Sequence, residues 1–143
     1  MEQTITAFFR QYQQHFQQGL QGTADMASVA ASYAPAFIAA SPAGVSTGHN
    51  DVQLPQVMEQ GFARYRQLGT RDMLLREVHV VPINALHCLA HVGWTASYAR
   101  DGQGDIRIDF EVHYLMQLLD GKPKIFGWVA GDEETLLREH GVV

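Results

Sequence analysis

Two long runs of alternating apolar and polar residues, 86–99 and 106–119, constrain the fold of this chain more than any other feature. Successive side chains of a β-strand point to opposite faces, so a period of two predicts strands with one buried face. Between the runs, the segment Asp101-Gly102-Gln103-Gly104 predicts a hairpin turn. Two shorter runs, 73–81 and 124–130, extend the prediction to an antiparallel sheet.

The two faces of the long strands differ in composition. Even-numbered positions are nearly all apolar and predict the buried face, in the set Leu86, Cys88, Ala90, Val92, Trp94, Ala96, Tyr98, Ile106, Ile108, Phe110, Val112, Tyr114, Met116 and Leu118. Odd-numbered positions mix leucines with polar residues, in the set Leu89, Leu115, Leu119, His87, His91, Thr95, Glu111, His113 and Gln117. Such a mixture is typical of subunit interfaces, so we expect a homodimer through the odd-numbered face.

Before Gly69 the apolar residues recur every three or four positions, which predicts helices. The first helix spans 4–20, and a short second helix follows residue Asp25, which can cap it. Residues 37–44 predict a short strand and turn. The polar loop 48–51 can cap a third helix that ends at Gly69, and Asp132 begins a last short helix. The order of elements predicts an α+β fold.

Length, charge and cysteine content narrow the classes of function. A chain of 143 residues is the size of a single domain. Its net charge of -5 argues against a broad basic surface for nucleic acid or anionic lipid. No apolar run approaches about twenty residues, so we expect no membrane span. Cys88 is the single cysteine and the N-terminus has no signal-peptide pattern, so we expect a cytoplasmic protein.

The order helix, helix, short strand, helix and then four strands resembles the nuclear transport factor 2-like superfamily, which includes ketosteroid isomerases, scytalone dehydratase and polyketide cyclases. The resemblance covers nearly the whole chain, 1–143, as one domain of the kind found in bacterial members. It implies a cone-shaped antiparallel sheet with three N-terminal helices on its concave face, a short C-terminal helix and a pocket. The segments that carry it are Tyr33-Ala34-Pro35-Ala36-Phe37-Ile38, Ser41-Pro42-Ala43-Gly44-Val45, Val92-Gly93-Trp94-Thr95-Ala96-Ser97-Tyr98 and Ile125-Phe126-Gly127-Trp128.

A pocket in such a cone would be lined by aromatic and other apolar side chains. The expected ligand-binding residues are Tyr12, Phe16, Tyr33, Phe37, Met58, Phe62, Tyr65, Trp94, Tyr114 and Trp128. They predict a site for a small apolar or aromatic molecule, bound without a cofactor. One alternative is a protein-interaction module, in which the sheet binds another chain. None of these segments is a catalytic signature, so the fold leaves the function open.

The resemblance also implies a second alternative, a cofactor-free isomerase, dehydratase or cyclase that acts by proton transfer. Tyr114 is a candidate for stabilising an oxyanion, and Glu77 with His79 is a candidate proton relay, because residues two apart share a strand face. The pattern of this strand leaves two orientations open. The inward residues are either Met73, Leu75, Glu77, His79 and Val81 or Leu74, Val78 and Val80.

The seven histidines do not predict a metal site. His87 and His91 are separated by about 13 Å along a strand, too far to share an ion whose ligands lie at about 2 Å. A metal site could still form if His113 on the neighbouring strand joined either His87 or His91. Cys88 falls on the apolar face, which predicts a buried, unreactive thiol.

Overall fold

The computed structural model describes residues 1–102 and 104–143, and over these residues it contains four helices and one six-stranded sheet. The predicted α+β fold is confirmed, with helices before Gly69 and mainly strands after it. Gln103 of the predicted hairpin turn lies outside the described residues. The elements are α1 (Glu2–Gln21), α2 (Met26–Ala30), β1 (Tyr33–Ser41), β2 (Gly44–His49), α3 (Leu54–Gln67), β3 (Thr70–Pro82), β4 (His87–Tyr98), β5 (Ile106–Leu119), β6 (Lys122–Ala130) and α4 (Glu133–Glu139).

The strands form one curved sheet in the order β2-β1-β6-β5-β4-β3. β4 and β5 pair antiparallel, with His87 opposite Gln117 and Tyr98 opposite Ile106, so their even-numbered residues share one face. β1 and β6 pair in parallel, whereas the sequence predicts a fully antiparallel sheet. They are separated by most of the chain, and their pairing leaves no local signal in the sequence.

Residues 36–49 form a hairpin in place of the expected short strand and polar loop. β1 pairs antiparallel with β2 along the whole length of β2, from Ser41 opposite Gly44 to Ala36 opposite His49. β2 is an edge strand whose residues are mostly exposed, so it lacks the alternation that reveals a half-buried strand. Gly48 lies against the ring of Phe37, and a Cβ atom at this position would have to displace that ring.

β3 contains a bulge at Arg76, where its register with β4 shifts between Leu75 and Glu77. A bulge adds one residue to one strand and so exchanges the faces of the residues that follow. Each of the two orientations left open by the sequence is therefore correct for half of the strand. The inward residues are Met73 and Leu75 before the bulge and Val78 and Val80 after it.

The even-numbered face of β4 and β5 is buried beneath the helices, as predicted. Ala90 and Val92 are fully buried, and Ile5 and Phe9 of α1 belong to the same core. Cys88 is a buried free thiol, and burial raises its pKa above the ordinary value. Leu86 is an exception to the predicted face: it precedes β4 and is 54% exposed, because the strand begins at His87.

Hydrogen bonds at the helix ends position the elements around the core. Asp25 and Asp132 cap α2 and α4 by accepting backbone N–H groups, as predicted. α3 begins after Gln53, whose own side chain makes no capping hydrogen bond, and Asp51 of the predicted loop 48–51 accepts the backbone N–H of Gln53 at 2.9 Å. Asn50 of the same loop fixes the start of β1 next to α2, by donating to the carbonyl oxygens of Ala30 and Tyr33.

Polar side chains of α1 bind β3, the edge strand on its side of the sheet. Gln13 accepts a hydrogen bond from the backbone N–H of Leu75 at 2.5 Å, and Gln17 donates to the carboxylate of Asp72 at 3.0 Å. These contacts fix the rotation of α1 about its own axis and so the direction of its aromatic residues. Over the described residues, no helix has the length and apolar character needed to cross a bilayer.

Candidate functional site

The helices and the sheet enclose a cavity of about 410 Å³. Pockets that hold small molecules commonly measure about 300–1,000 Å³. Nine of the ten predicted ligand-binding residues line this cavity: Tyr12, Phe16, Tyr33, Met58, Phe62, Tyr65, Trp94, Tyr114 and Trp128. Their contact with a ligand stays a prediction.

Packing between rings fixes the aromatic walls of the cavity. Phe16 makes edge-to-face contacts with Phe62 and Tyr65, at centroid distances of 5.4 and 5.1 Å. Tyr12 lies between α1 and the sheet, with its ring 6.0 Å from that of Trp94. These contacts between rings hold the walls of the cavity in position.

Phe37 is the one predicted ligand-binding residue outside the lining of the cavity. Its ring stacks on Trp128, with the centroids 5.5 Å apart and the planes at 27°. Trp128 lies between Phe37 and the cavity in this arrangement. Phe37 therefore supports the wall and does not reach its inner surface.

Tyrosine hydroxyl groups supply the polar surface deep in the cavity. The hydroxyl oxygens of Tyr12 and Tyr33 are 2.7 Å apart and form a hydrogen bond. Burial raises the pKa of Tyr33 and of Tyr114 well above the ordinary value, so both side chains are neutral at physiological pH. One hydroxyl of the pair donates to the other, which leaves the second proton available to a ligand oxygen.

His15 lines the cavity beside Tyr12 and Phe16, although our sequence analysis does not identify it. Its Nδ1 atom is buried and has no hydrogen-bond partner among the described residues. Burial lowers the pKa of His15 below its ordinary value, and the charge of Asp25 opposes this effect in part. The helical spacing Tyr12, His15, Phe16 was the signal that could have found it.

Two adjacent glutamates at the start of α4 have different partners. Glu133 lines the cavity, and its Oε1 atom accepts a hydrogen bond from the hydroxyl of Tyr65 at 2.8 Å. Glu134 forms an ion pair with Arg64, and both side chains are 56% exposed. Burial and the Glu133 charge raise the pKa of Tyr65 well above the ordinary value. The sequence identifies Glu133 only as an acidic residue of a helix start.

Glu77 and His79 lie on the outer face of the sheet, away from the cavity. The side chain of Glu77 is 63% exposed and lies 3.9 Å from Arg76, and His79 is also exposed. The bulge at Arg76 is the cause, because it moves the residues after it to the opposite face. Glu77 and His79 therefore do not form the proton relay expected inside the cone, because neither side chain faces the cavity. Tyr114, the third catalytic candidate, does line the cavity.

The outer face carries a row of three histidines. His79, His91 and His113 lie directly opposite one another on β3, β4 and β5. Their ring centroids are 5.9 Å apart for the first pair and 4.4 Å for the second. Over residues 1–102 and 104–143, no group of three or more His, Cys, Asp or Glu side chains has the geometry of a metal site.

Solved bacterial structures share this fold at low sequence identity. An NTF2-like protein with a cystatin-like fold from Novosphingobium aromaticivorans is 10% identical, covers 99% of this chain and 88% of its own, and gives a TM-score of 0.69. A ketosteroid isomerase-like protein from Erwinia carotovora is 14% identical, with 90% and 92% covered and a TM-score of 0.62. Identities this low show the fold alone.

The sequence itself matches a family model. No curated protein matches the chain. The model described as "NTF2-like protein (DUF6841)" matches residues 2–133, which span α1, α2, α3, the whole sheet and the first residue of α4. The chain therefore belongs to this NTF2-like family.

Proposed function

We propose that the cavity binds a small, mostly apolar molecule that contains a ring and an oxygen able to accept a hydrogen bond. The observation that carries this proposal is a cavity of about 410 Å³ with aromatic walls and a buried pair of tyrosine hydroxyls. The rings remove the apolar body of the ligand from water, and the hydroxyl pair selects its oxygen. A protein-interaction module would not need an open cavity, so the cavity favours ligand binding.

The two tryptophans allow a direct test, because both line the cavity and the chain has no others. We expect a ligand among steroids and polyketide aromatics to change their fluorescence and to raise the melting temperature, whereas fatty acids, which have no ring, should change neither. A Glu77→Gln variant, altered on the outer face, serves as the matched control and should respond like the wild type. If no compound changes either signal, the proposal fails.

A second candidate function is proton transfer without a cofactor. It is favoured by His15, a neutral imidazole in the same cavity as the tyrosine hydroxyl donors. His15 would remove a proton from the carbon next to a ligand carbonyl, and the hydroxyl pair would donate to the enolate oxygen that forms. We expect the protein to speed deuterium exchange at that carbon, measured by NMR. A His15→Gln variant that exchanges as fast as the wild type would contradict this role.

We also propose that two copies associate through the outer face of the sheet. Leu89 and Leu115 lie opposite each other there, next to the exposed side chains of Ile38 and Val129 and to the histidine row. A two-fold contact would place this apolar patch against its own copy, with the polar residues around it.

A further inference from the structure

The charged side chains that line the cavity within the described part of the chain are carboxylates. Among the described residues that line it there is no Lys or Arg, and the ionisable side chains other than tyrosines are His15, Glu111 and Glu133. Glu111 is exposed and occupies an odd-numbered, outward position of β5 opposite Gly93. Glu133 is therefore the carboxylate that a ligand in the cavity would meet.

Within the part of the chain that the structure describes, no Lys or Arg forms an ion pair with Glu133, whereas its neighbour Glu134 has such a partner. Arg64 pairs with Glu134, whereas the partner of Glu133 is the neutral hydroxyl of Tyr65. Arg100, the other guanidinium near this wall, donates to the carbonyl oxygens of Leu68 and Ala99. The charge of Glu133 is thus held in position by a hydrogen bond without being neutralised.

The negative potential of Glu133 reaches into the wall of the cavity. Burial and, after it, the Glu133 charge raise the pKa of Tyr98 to about 12, although a hydrogen bond with Thr70 and the charges of Arg100 and Arg64 oppose this effect. The hydroxyl of Tyr65 contacts this carboxylate, and the Tyr65 ring lies 5.1 Å from the ring of Phe16 between centroids. Aromatic faces attract cations, so carboxylate and rings favour the same kind of group.

His15 adds a hydrogen-bonding group without adding a positive charge. Its Nδ1 atom is buried without a partner, and burial lowers the pKa of the imidazole, which keeps the ring neutral at physiological pH. No part of the described lining therefore offers a counterion to an anionic ligand. Burying a carboxylate in an apolar cavity without a counterion costs free energy.

We propose that the natural ligand is a ring compound with a protonated amine, which pairs with Glu133 at the rim while the ring occupies the aromatic cavity. The inference rests on the proposed function, and it names the charge of the ligand of that same cavity. The cavity discriminates against carboxylates such as fatty acids and aromatic acids.

Three matched probes separate the charge of the ligand from its shape: 1-naphthylmethylammonium, 1-naphthalenemethanol and 1-naphthoate. We expect isothermal titration calorimetry at low salt to rank their affinities in that order. A single exposed or half-buried ion pair supports a difference of about fivefold between cation and alcohol, and at least about tenfold between cation and carboxylate. Added salt should reduce both differences, because it screens charges.

Adjacent glutamates provide the matched variants. Glu133→Gln should remove the preference for the ammonium probe, whereas Glu134→Gln, which alters a glutamate outside the cavity lining, should preserve it. Melting temperatures close to that of the wild type would establish that both variants are folded. Carboxylate binding as tight as that of the ammonium probe, or equal effects of the two substitutions, would overturn the inference while leaving the proposed function intact. If none of the probes binds, the proposed function fails and the inference fails with it.

Discussion

At the scale of single residues, the hydroxyl pair of Tyr12 and Tyr33 determines how the cavity would recognise an oxygen atom. Either hydroxyl alone still has a proton to donate, so one substitution leaves a donor in place. The double variant Tyr12→Phe/Tyr33→Phe removes both protons and leaves no buried hydroxyl of the pair unpaired.

We predict that this double variant binds 2-acetylnaphthalene about fivefold more weakly than the wild type, the effect of one hydrogen bond of about 1 kcal/mol. Binding of 2-ethylnaphthalene, which lacks the carbonyl, should change less than about twofold. Calorimetric titration of both compounds measures the difference. Equal losses for the two compounds would mean that the hydroxyl pair shapes the cavity and does not recognise the oxygen.

His15 predicts a pH dependence of stability with a definite sign. Its pKa is lowered in the folded protein, so below about pH 6.5 the unfolded chain takes up a proton that the folded chain refuses. The free energy of unfolding therefore falls as the pH falls below that value, and the loss ends below the folded-state pKa. Urea unfolding from about pH 7.5 to pH 5 measures this slope.

We expect the slope to be smaller in His15→Gln than in the wild type, because glutamine does not titrate. The control is His49→Gln, which removes an exposed histidine of β2. A slope that is unchanged in His15→Gln would show that other groups cause it.

The aromatic lining could be predicted from the sequence, but its polar groups could not. Helical spacing predicts Tyr12 and Phe16, and strand alternation predicts Trp94 and Tyr114. Both work because the spacing of apolar residues along the sequence indicates which residues share a buried face. The sequence indicates only that Glu133 lies in the first turn of a helix. Acidic residues are common there because they interact favourably with the helix dipole, so the position gives no sign of a binding role. Its role at the rim depends on Tyr65, which is 68 positions away in the chain.

At the scale of elements, α4 closes one end of the cavity and depends on its N-cap. Leu136 and Leu137 line the cavity, and Leu137 is 2% exposed. Asp132 accepts hydrogen bonds from the backbone N–H and the hydroxyl of Thr135, at 3.0 and 2.6 Å. In a helix of 7 residues these bonds are a large part of local stability.

We predict that Asp132→Ala costs about 1 kcal/mol and that the loss is concentrated in α4. Amide hydrogen exchange should accelerate in 133–139 while the central strands β4 and β5 keep their protection. Asp25→Ala, which removes the matching cap of α2, is the control and should leave exchange in α4 unchanged. Uniform acceleration across the sheet in Asp132→Ala would contradict a local role for the cap.

The two faces of β3 cannot be predicted from the sequence, and the reason is its bulge. A period of two predicts one inward set over the whole run, whereas the extra residue at Arg76 requires two. Arg76 itself crosses to the carbonyl oxygen of Trp94 at 2.9 Å and lies 3.5 Å from Asp109. These partners come from other strands, so no pattern within 73–81 reports the bulge.

At the scale of the whole molecule, we predict a homodimer that Leu115→Asp dissociates. The new carboxylate would lie at the centre of the proposed contact, where it would be buried without a counterion next to its symmetry mate. Val52→Asp is the control, since Val52 is 94% exposed in the loop before α3, away from the sheet face. Sedimentation velocity at micromolar concentration distinguishes the species. A wild-type monomer would contradict the prediction, and so would a dimer that Leu115→Asp leaves intact.

The most direct test of the central claim, that the cavity binds a ring compound, uses the indole N–H signals of Trp94 and Trp128 in a two-dimensional ¹H–¹⁵N NMR spectrum. The chain has 2 tryptophans, and both line the cavity, so these two signals report on its lining at β4 and at β6. We predict that both signals move in a saturable way when 2-acetylnaphthalene is added. A dissociation constant of about 1 mM corresponds to a binding free energy of about 4 kcal/mol. If neither indole signal moves at ligand concentrations up to about 1 mM, the account is contradicted.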